Sequence, residues 1–241
     1  MFLRLQLALL GLLFMNGLTG QNIKATYTFD SPAYIDCYDG YTEMQIKGCT
    51  NMGDEGYPLL PVFSGQVLIP QGKEVAGIKI VEIEYSNPVN GINIVPAARQ
   101  FPVSIPAPHD YRPQPNAGVY ETGGHYPAEI LSDVSTHFLG GFSIAVFNIR
   151  PVVFNAAEKW VKYIKSLEIE IETVDLRHRI IQPACQNETT LKRLQRLVSN
   201  PELASTYSFS TLRDNDQVDL LIITKSTFVD DFTEYAAYKT E

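Results

Sequence analysis

The sequence predicts a mainly β fold, an antiparallel β-sandwich followed by the truncated start of an α/β domain. Segments in which apolar and polar residues alternate dominate residues 22–180, and helical periodicity is absent there. Near the end of the chain the pattern changes to an almost continuous apolar run at residues 218–224, which is typical of a strand covered on both faces. The two patterns indicate two structurally different parts.

Residues 1–20 have the layout of a secretory signal peptide. Arg4 gives a positive start, residues 5–15 form an apolar run, and small residues precede Gln21. The run is too short to cross a bilayer comfortably. We therefore expect export across the inner membrane to the periplasm, the cell surface or the extracellular space, with no transmembrane helix after signal removal.

The charge balance argues against a nucleic-acid partner. The 241 residues include 19 Lys and Arg against 27 Asp and Glu, a formal net charge of −8, and the basic residues form no cluster. A chain of this length can hold one large domain or two small ones.

Export makes disulfide bonds possible, and the chain has three cysteines. Cys37 and Cys49 lie twelve positions apart and are the disulfide candidate, which would stabilise the fold by about 3 kcal/mol on the chain-entropy model. The alternative is three free thiols, with Cys185 the third. No cysteine spacing resembles a zinc site.

The first half of the chain predicts short strands separated by breakers. Residues 24–29 alternate like an edge strand, residues 41–46 and 62–69 form two more, and residues 92–98 another. In residues 75–85 the alternation slips by one position, which predicts a β-bulge. Five of the fifteen prolines then lie within residues 102–115, which predicts a long, extended surface loop.

Residues 142–173 predict a long antiparallel hairpin. Residues 142–154 are rich in β-branched and aromatic side chains, residues 155–159 form a polar turn, and residues 160–173 alternate strictly. Three glutamates, Glu168, Glu170 and Glu172, occupy one face of the returning strand; they are interpreted as a solvated face rather than a cation site.

The C-terminal third predicts a helix, a linker and a β-α unit. Leucines recur at helical spacing in residues 189–200, which Pro201 closes, and residues 205–216 are polar and turn-prone. After the apolar strand at residues 218–224, Ser226 or Thr227 can cap a second helix. A parallel strand needs a partner beyond its crossover, so the chain is predicted to be cut off inside a second domain.

Three segments have a distinctive sequence. One is Gly-Gly-Phe at residues 140–142, followed by Ile-Arg-Pro-Val-Val-Phe-Asn-Ala-Ala at residues 149–157. The others are Gly-Tyr-Pro-Leu-Leu-Pro at residues 56–61 with Ile-Pro-Gln-Gly at residues 69–72, and Tyr-Pro at residues 126–127. Together they resemble the prodomain of the gingipain-like cysteine peptidases, whose peptidase domain has a caspase-like fold. Ala156 stands where many relatives have proline. The opening β-α unit of the peptidase domain in this family also looks like residues 218–239.

The resemblance implies a secreted precursor in four parts. These are a signal peptide at residues 1–20, a β-sandwich prodomain at 21–185, a helix and linker at 186–216, and the first β-α unit of a truncated peptidase domain at 217–241. The prodomain would assist folding of its cognate cysteine peptidase domain, its expected partner, and would hold that domain latent as an inhibitor.

No residue of this chain is predicted to be catalytic, and neither a cofactor nor a metal is predicted. The three cysteines and four histidines carry no family active-site signature, and the catalytic His and Cys of the family lie downstream of the opening β-α unit. We therefore expect the chain to lack peptidase activity alone.

Three arginines are candidates for roles in latency and processing. Arg112 is the first candidate for an inhibitory side chain, because Pro113 follows it and disfavours cutting of that bond. Arg99 is the second. Arg213, in the polar linker, is the candidate processing site.

Two other functions remain open at this point. The chain could be a non-catalytic β-sandwich module of a cell-surface or secretion-system protein, although such a module has no use for half an α/β sheet. A glycan-binding sandwich is the third possibility, and it lacks an obvious aromatic platform.

Overall fold

The computed structural model describes residues 22–102, 104, 108, 110–176, 187–209 and 221–240. The predicted signal peptide lies outside these residues. The chain divides into two compact units, Met1–Ser208 and Phe209–Glu241, so the predicted linker at 186–216 spans their boundary. The described residues of the first unit contain twelve strands and two α-helices: β1 Ile23–Thr28, β2 Ala33–Asp36, β3 Thr42–Gln45, β4 Thr50–Met52, β5 Leu60–Leu68, β6 Lys73–Tyr85, β7 Val89–Asn90, α1 Ala117–Tyr120, β8 His125–Tyr126, β9 Leu131–Leu139, β10 Phe142–Ile149, β11 Val152–Asn155, β12 Trp160–Asp175 and α2 Glu188–Leu197.

The strands form two main antiparallel sheets, which confirms the predicted mainly β, antiparallel class. One sheet has six strands in the order β1-β12-β11-β8, with β6 and β7 also paired to β12. The other has the order β4-β5-β10-β9, and β2 pairs with β3 in a separate hairpin. A single core joins side chains of both main sheets, among them Phe147 of β10 and Ile169 of β12, both fully buried.

β12 is the central strand of the larger sheet. Residues 166–171 of β12 pair with β1 and also with β6, so these two strands lie on opposite edges of β12. The predicted alternation is confirmed here: Leu167, Ile169 and Ile171 are fully buried, and the three glutamates face outward. Lys24 pairs with Glu168 at 2.8 Å and Lys79 pairs with Glu172, so this face is an ordinary surface of exposed ion pairs.

The predicted bulge in β6 is also confirmed. Glu82 lies opposite Glu168 and Ile80 lies opposite Ile169, so Val81 has no partner residue on β12. The extra residue accounts for the slip in the alternation of residues 75–85, because a bulge reverses which face each following side chain takes.

Two strand predictions are wrong in part. The hairpin exists only where β11 pairs with the start of β12, because β10 belongs to the other sheet. The chain changes sheet at Arg150 and Pro151, and Pro151 has no N–H to donate to a continuing ladder. Residues 92–98 form only two isolated bridges, Thr42 with Ile94 and Pro58 with Pro96, as they pass between other segments.

The predicted helix is confirmed as α2, and the segment after it is attached to the sandwich. Asn187 caps α2 by accepting a hydrogen bond from the Thr190 N–H at 2.7 Å. Beyond the helix, the Asn200 side chain accepts from the Leu68 N–H at 2.7 Å and donates to the Leu68 carbonyl at 2.9 Å. The Tyr207 hydroxyl donates to the Ile69 carbonyl and accepts from the Ser143 N–H at 3.1 Å.

The second unit is described over residues 221–240. Its helix, α3, covers Thr233–Thr240 and follows two short 3₁₀ turns, Ser226–Phe228 and Asp230–Phe232. The strand predicted for residues 218–224 is not formed in its described part, and the helix begins later than either predicted cap. Leu221 is 74% exposed and Ile223 is 88% exposed, because no neighbouring strand in the described part of this unit supplies hydrogen bonds or cover.

Candidate functional site

The proline-rich loop is closed at its base by one residue. The Gly56 N–H donates to the Ala97 carbonyl at 2.9 Å, and the Gly56 carbonyl accepts from the Asn116 N–H at 2.9 Å. Residues 98–115 therefore leave and rejoin the sandwich at the same point, in the turn between β4 and β5. Both inhibitory-loop candidates, Arg99 and Arg112, lie in this loop.

Gly56 has a conformation and surroundings that exclude other residues. Its φ is +81°, in the left-handed region that side chains disfavour. A Cβ atom built on it would lie 2.5 Å from the Gln114 carbonyl oxygen, which is far inside van der Waals contact. The loop can approach this closely only because the side chain is absent.

Arg99 lies against two aromatic rings. Its guanidinium carbon is 4.6 Å from the Phe101 ring centre and 5.4 Å from that of Tyr111, and the two rings meet edge to face. The Tyr111 hydroxyl donates to Glu55 Oε1 at 2.6 Å. This hydrogen bond raises the pKa of Tyr111, because it favours the protonated hydroxyl beside a carboxylate.

Arg112 lies over a third ring. Its guanidinium carbon is 4.5 Å from the Tyr38 ring centre, and one of its terminal nitrogens donates to the Tyr111 carbonyl at 3.0 Å. Burial raises the pKa of Tyr38, and the positive charge of Arg112 opposes that shift. Arg112 itself is exposed, whereas Pro113 directly after it is buried and anchors the loop.

A series of aromatic contacts connects this arginine to the core. Tyr38 contacts Tyr41 at 5.8 Å between ring centres, Tyr41 contacts Tyr120 at 6.4 Å, and Tyr120 contacts the fully buried Phe154 at 6.0 Å. The Tyr120 hydroxyl donates to the Ile94 carbonyl at 2.9 Å, and burial raises the pKa of Tyr120. The ring under Arg112 is thus supported from the sandwich interior.

The structure brings together two of the three arginines singled out in the sequence. Arg99 contacts the face of Tyr111, and Arg112 donates to its carbonyl, so one tyrosine links them. Arg213 lies outside the described residues. Sequence reasoning missed Glu55, Gly56 and Tyr38; the cluster of turn formers at residues 53–61 was the available signal, but it did not indicate what the turn would contact.

The predicted disulfide is not present. Cys37 and Cys49 are both free thiols, and they flank opposite ends of the β2–β3 hairpin. The hairpin has four residue pairs between those ends, and its length is therefore about 10 Å at the rise per residue of a strand. The Cα atoms of a disulfide lie within about 7 Å of each other, so the hairpin keeps these two apart. Cys185 lies outside the described residues.

Cys49 has the chemistry of a structural thiol. It is half-buried, and burial raises its pKa to about 11. A nucleophilic cysteine needs a lowered pKa so that the thiolate is present near neutral pH. Within the described residues, no group of three or more His, Cys, Asp or Glu side chains is arranged to hold a metal ion. No helix of the same part of the chain is long and apolar enough to cross a membrane.

Comparison with known proteins gives matches in structure alone. No family model and no curated protein matches the chain. A structure described as the complex of the pro- and mature domains of RgpB from Porphyromonas gingivalis matches with a TM-score of 0.61 and 17% identity, over 75% of this chain and 93% of that one. A structure on the zymogenic latency of gingipain K from the same organism matches with a TM-score of 0.52 and 18% identity, over 67% of this chain and 91% of that one.

The chain therefore has the gingipain-prodomain fold. At these identities the likeness establishes the fold, and it agrees with the resemblance found in residues 56–72 and 126–157. The loop at residues 98–115 carries two exposed arginines, Arg99 and Arg112.

Proposed function

We propose that the chain is the N-terminal part of a secreted gingipain-like cysteine endopeptidase precursor, and that its sandwich is the prodomain. The prodomain binds the cognate peptidase domain, assists its folding and keeps it latent. The observation that carries the proposal is the match to a chain from a complex of pro- and mature domains, which this chain covers almost completely. The printed description of the gingipain K structure, which concerns zymogenic latency, supports the same function.

Arg112 is the side chain proposed to enter the active-site cleft. It is exposed, it lies on a loop whose base is fixed, and Pro113 after it slows cutting of the adjacent bond. Entry into a cleft requires Arg112 to leave Tyr38 and to break its hydrogen bond to the Tyr111 carbonyl. An exposed cation–π contact contributes about 0.5–1 kcal/mol, and a hydrogen bond to a charged group about 1.5–3 kcal/mol. Two hydrogen bonds to a carboxylate in the cleft would therefore outweigh the two lost contacts.

Arg99 is the second candidate, and its place in the sequence makes it the weaker one. Gln100 rather than proline follows it, so the bond after Arg99 is not protected from cutting. Arg213 is proposed as the site where processing separates prodomain from peptidase. Removal of residues 1–20 precedes both steps during export.

The exposed apolar residues of the second unit favour a precursor over an autonomous cell-surface or secretion-system module. Leu221 and Ile223 are largely exposed, and exposed apolar side chains of this size are expected to be covered in the working protein. A following α/β domain would supply that cover.

The test begins with the coding DNA beyond Glu241, where we expect a reading frame for an α/β domain with a His and a Cys at strand ends. That peptidase domain is purified and assayed with residues 21–241 of the wild type, Arg112→Ala and Arg99→Ala. We expect Arg112→Ala to raise the inhibition constant about 30-fold or more, the size of an interface hot spot, and Arg99→Ala to change it less. Equal constants for wild type and Arg112→Ala remove Arg112 from the mechanism. Absence of inhibition by all three proteins contradicts the proposed function.

A further inference from the structure

The proline-rich loop depends on a contact that lies outside it. Its two ends bond to the N–H and the carbonyl of the single residue Gly56, and a third tie joins Tyr111 inside the loop to Glu55. These three ties are made to two adjacent residues of the β4–β5 turn, and the Ala97 N–H at the start of the loop also donates to the Tyr57 carbonyl at 2.7 Å. We call residues 55–56 the loop clamp.

We propose that the loop clamp fixes the described ends of the proline-rich loop, residues 98–102 and 110–115, and that Gly56 is a positioning residue for the inhibition carried by this loop. The positioning role of Gly56 in inhibition rests on the proposed function, whereas the effect of the clamp on the loop does not. The clamp acts through geometry: it touches neither guanidinium, but it fixes the backbone positions from which Arg99 and Arg112 extend.

Loss of the backbone bonds at Gly56 would loosen the base of the loop. With Gly56 displaced, the bonds that Gly56 makes to Ala97 and Asn116 would be lost. The described part of the loop would keep the Tyr111–Glu55 hydrogen bond, the buried Pro113 and the ring contacts of the two arginines. A loop that must be ordered on binding loses affinity through the conformational entropy of that ordering, whereas a loop fixed beforehand does not. The clamp therefore raises affinity without adding a contact to the partner.

Gly56→Ala tests the clamp directly, because its Cβ would lie 2.5 Å from the Gln114 carbonyl oxygen and push the loop away. The matched control is Gly91→Ala. Gly91 has φ +80°, nearly the same as Gly56, but a Cβ on Gly91 would meet no atom within 4 Å. Both substitutions carry the same backbone strain, so a difference between them isolates the contact with the loop.

Trypsin provides a measurement that needs no peptidase partner. Within residues 98–115 the basic residues are Arg99 and Arg112, and Pro113 protects the bond after Arg112, so the bond between Arg99 and Gln100 is the one that trypsin can cut. The full chain, residues 21–241, is digested and the cut is quantified by mass spectrometry. We expect Gly56→Ala to be cut about tenfold faster than wild type, since proteolysis follows local opening, and Gly91→Ala to be cut at the wild-type rate.

Tyr111→Phe keeps the proposal testable if Gly56→Ala does not fold. It removes the hydrogen bond to Glu55 and leaves the ring that contacts Arg99 and Phe101 in place. We expect its cut at Arg99 to be faster than in the wild type, by a smaller factor than for Gly56→Ala. Equal cutting of wild type and the folded clamp variants would overturn the clamp.

The inhibition assay tests the positioning role of Gly56. With the peptidase domain encoded beyond Glu241 as the probe, Gly56→Ala is expected to raise the inhibition constant about tenfold or more, and Gly91→Ala to leave it unchanged. If the wild type inhibits and Gly56→Ala inhibits equally well, the positioning role is wrong although the proposed function stands. If the wild type does not inhibit, the proposed function fails, and the tryptic result still decides whether the clamp exists.

Discussion

Residues 160–175 and 218–224 both have the sequence of a strand, but only the first set forms one (β12), and the described residues 221–224 of the second do not. Ile169 in β12 is fully buried, whereas Ile223 is 88% exposed. β12 has paired strands on both edges and a second sheet against its inner face, while residues 221–225 have no strand partner within the described part of their unit. An apolar sequence pattern therefore forms a strand only where neighbouring strands supply hydrogen bonds and a facing sheet buries its side chains.

The largest expected effect comes from making one substitution in both places. Ile169→Ala should lower the free energy of unfolding of the sandwich by about 2–5 kcal/mol, because it leaves a cavity in the core. Ile223→Ala should change it by less than about 0.5 kcal/mol, because the side chain is already in water. Urea titrations of the two variants measure both values, and similar losses would show that Ile223 is covered in solution.

The segment after α2 tests whether hydrogen bonds to a neighbouring strand stabilise a segment that is not itself a strand. Asn200 is distant in sequence from β5 but hydrogen-bonds to Leu68 of that strand. Asn200→Ala leaves the Leu68 N–H and carbonyl without their side-chain partner and should cost about 1–3 kcal/mol of stability. Asn87→Ala, at an exposed loop position, is the control and should be close to neutral. A neutral Asn200→Ala would mean that this segment is not an integral part of the sandwich.

Limited proteolysis compares the two units in one experiment. We expect trypsin to cut at Arg213, in the predicted linker, about tenfold faster than at Lys162 or Lys165 of β12, since paired strands open far less often than linkers. Arg213→Gln should remove that first fragment and leave later cuts unchanged. Equal resistance of the second unit and the sandwich to trypsin would contradict the expectation that the second unit is the less stable of the two.

The smallest expected effect is a pH dependence at Cys49. Its folded pKa is raised to about 11 from 9.0, so the folded state favours the neutral thiol. The resulting contribution to stability is fully present below pH 9 and is lost as the pH rises through 11. Wild type should therefore lose slightly more stability than Cys49→Ala between pH 8.5 and 10.5 in urea titrations. Parallel losses in the two proteins would show that the thiol is solvated.

The sequence was most informative where contacts repeat regularly along the chain. The alternation of β12, the slip at Val81 and the leucines of α2 all predicted structure correctly, because each follows from the period of one element. The change of sheet at Pro151 was not predicted, because a strand-forming sequence pattern does not indicate which sheet the strand will join.

The candidate site was predictable in its residues but not in its geometry. Composition and proline spacing indicated an exposed loop at residues 102–115 containing Arg112, with Arg99 as a second candidate outside that range. The bonds from Gly56 to Ala97 and Asn116 join residues about 40 and 60 positions apart, and no local pattern encodes such contacts. The disulfide prediction failed for the same reason, because sequence spacing does not reveal that Cys37 and Cys49 flank opposite ends of a hairpin.

The most direct test of the central claim measures binding between this chain and its proposed partner. The cognate peptidase domain of the proposed function is purified with its nucleophilic cysteine replaced by alanine, so that cleavage cannot obscure binding, and is titrated with residues 21–241 by calorimetry. We expect a one-to-one complex with a dissociation constant of about 1 μM or tighter, since a standard-sized protein interface reaches this range. Absence of binding at about 100 μM would contradict it.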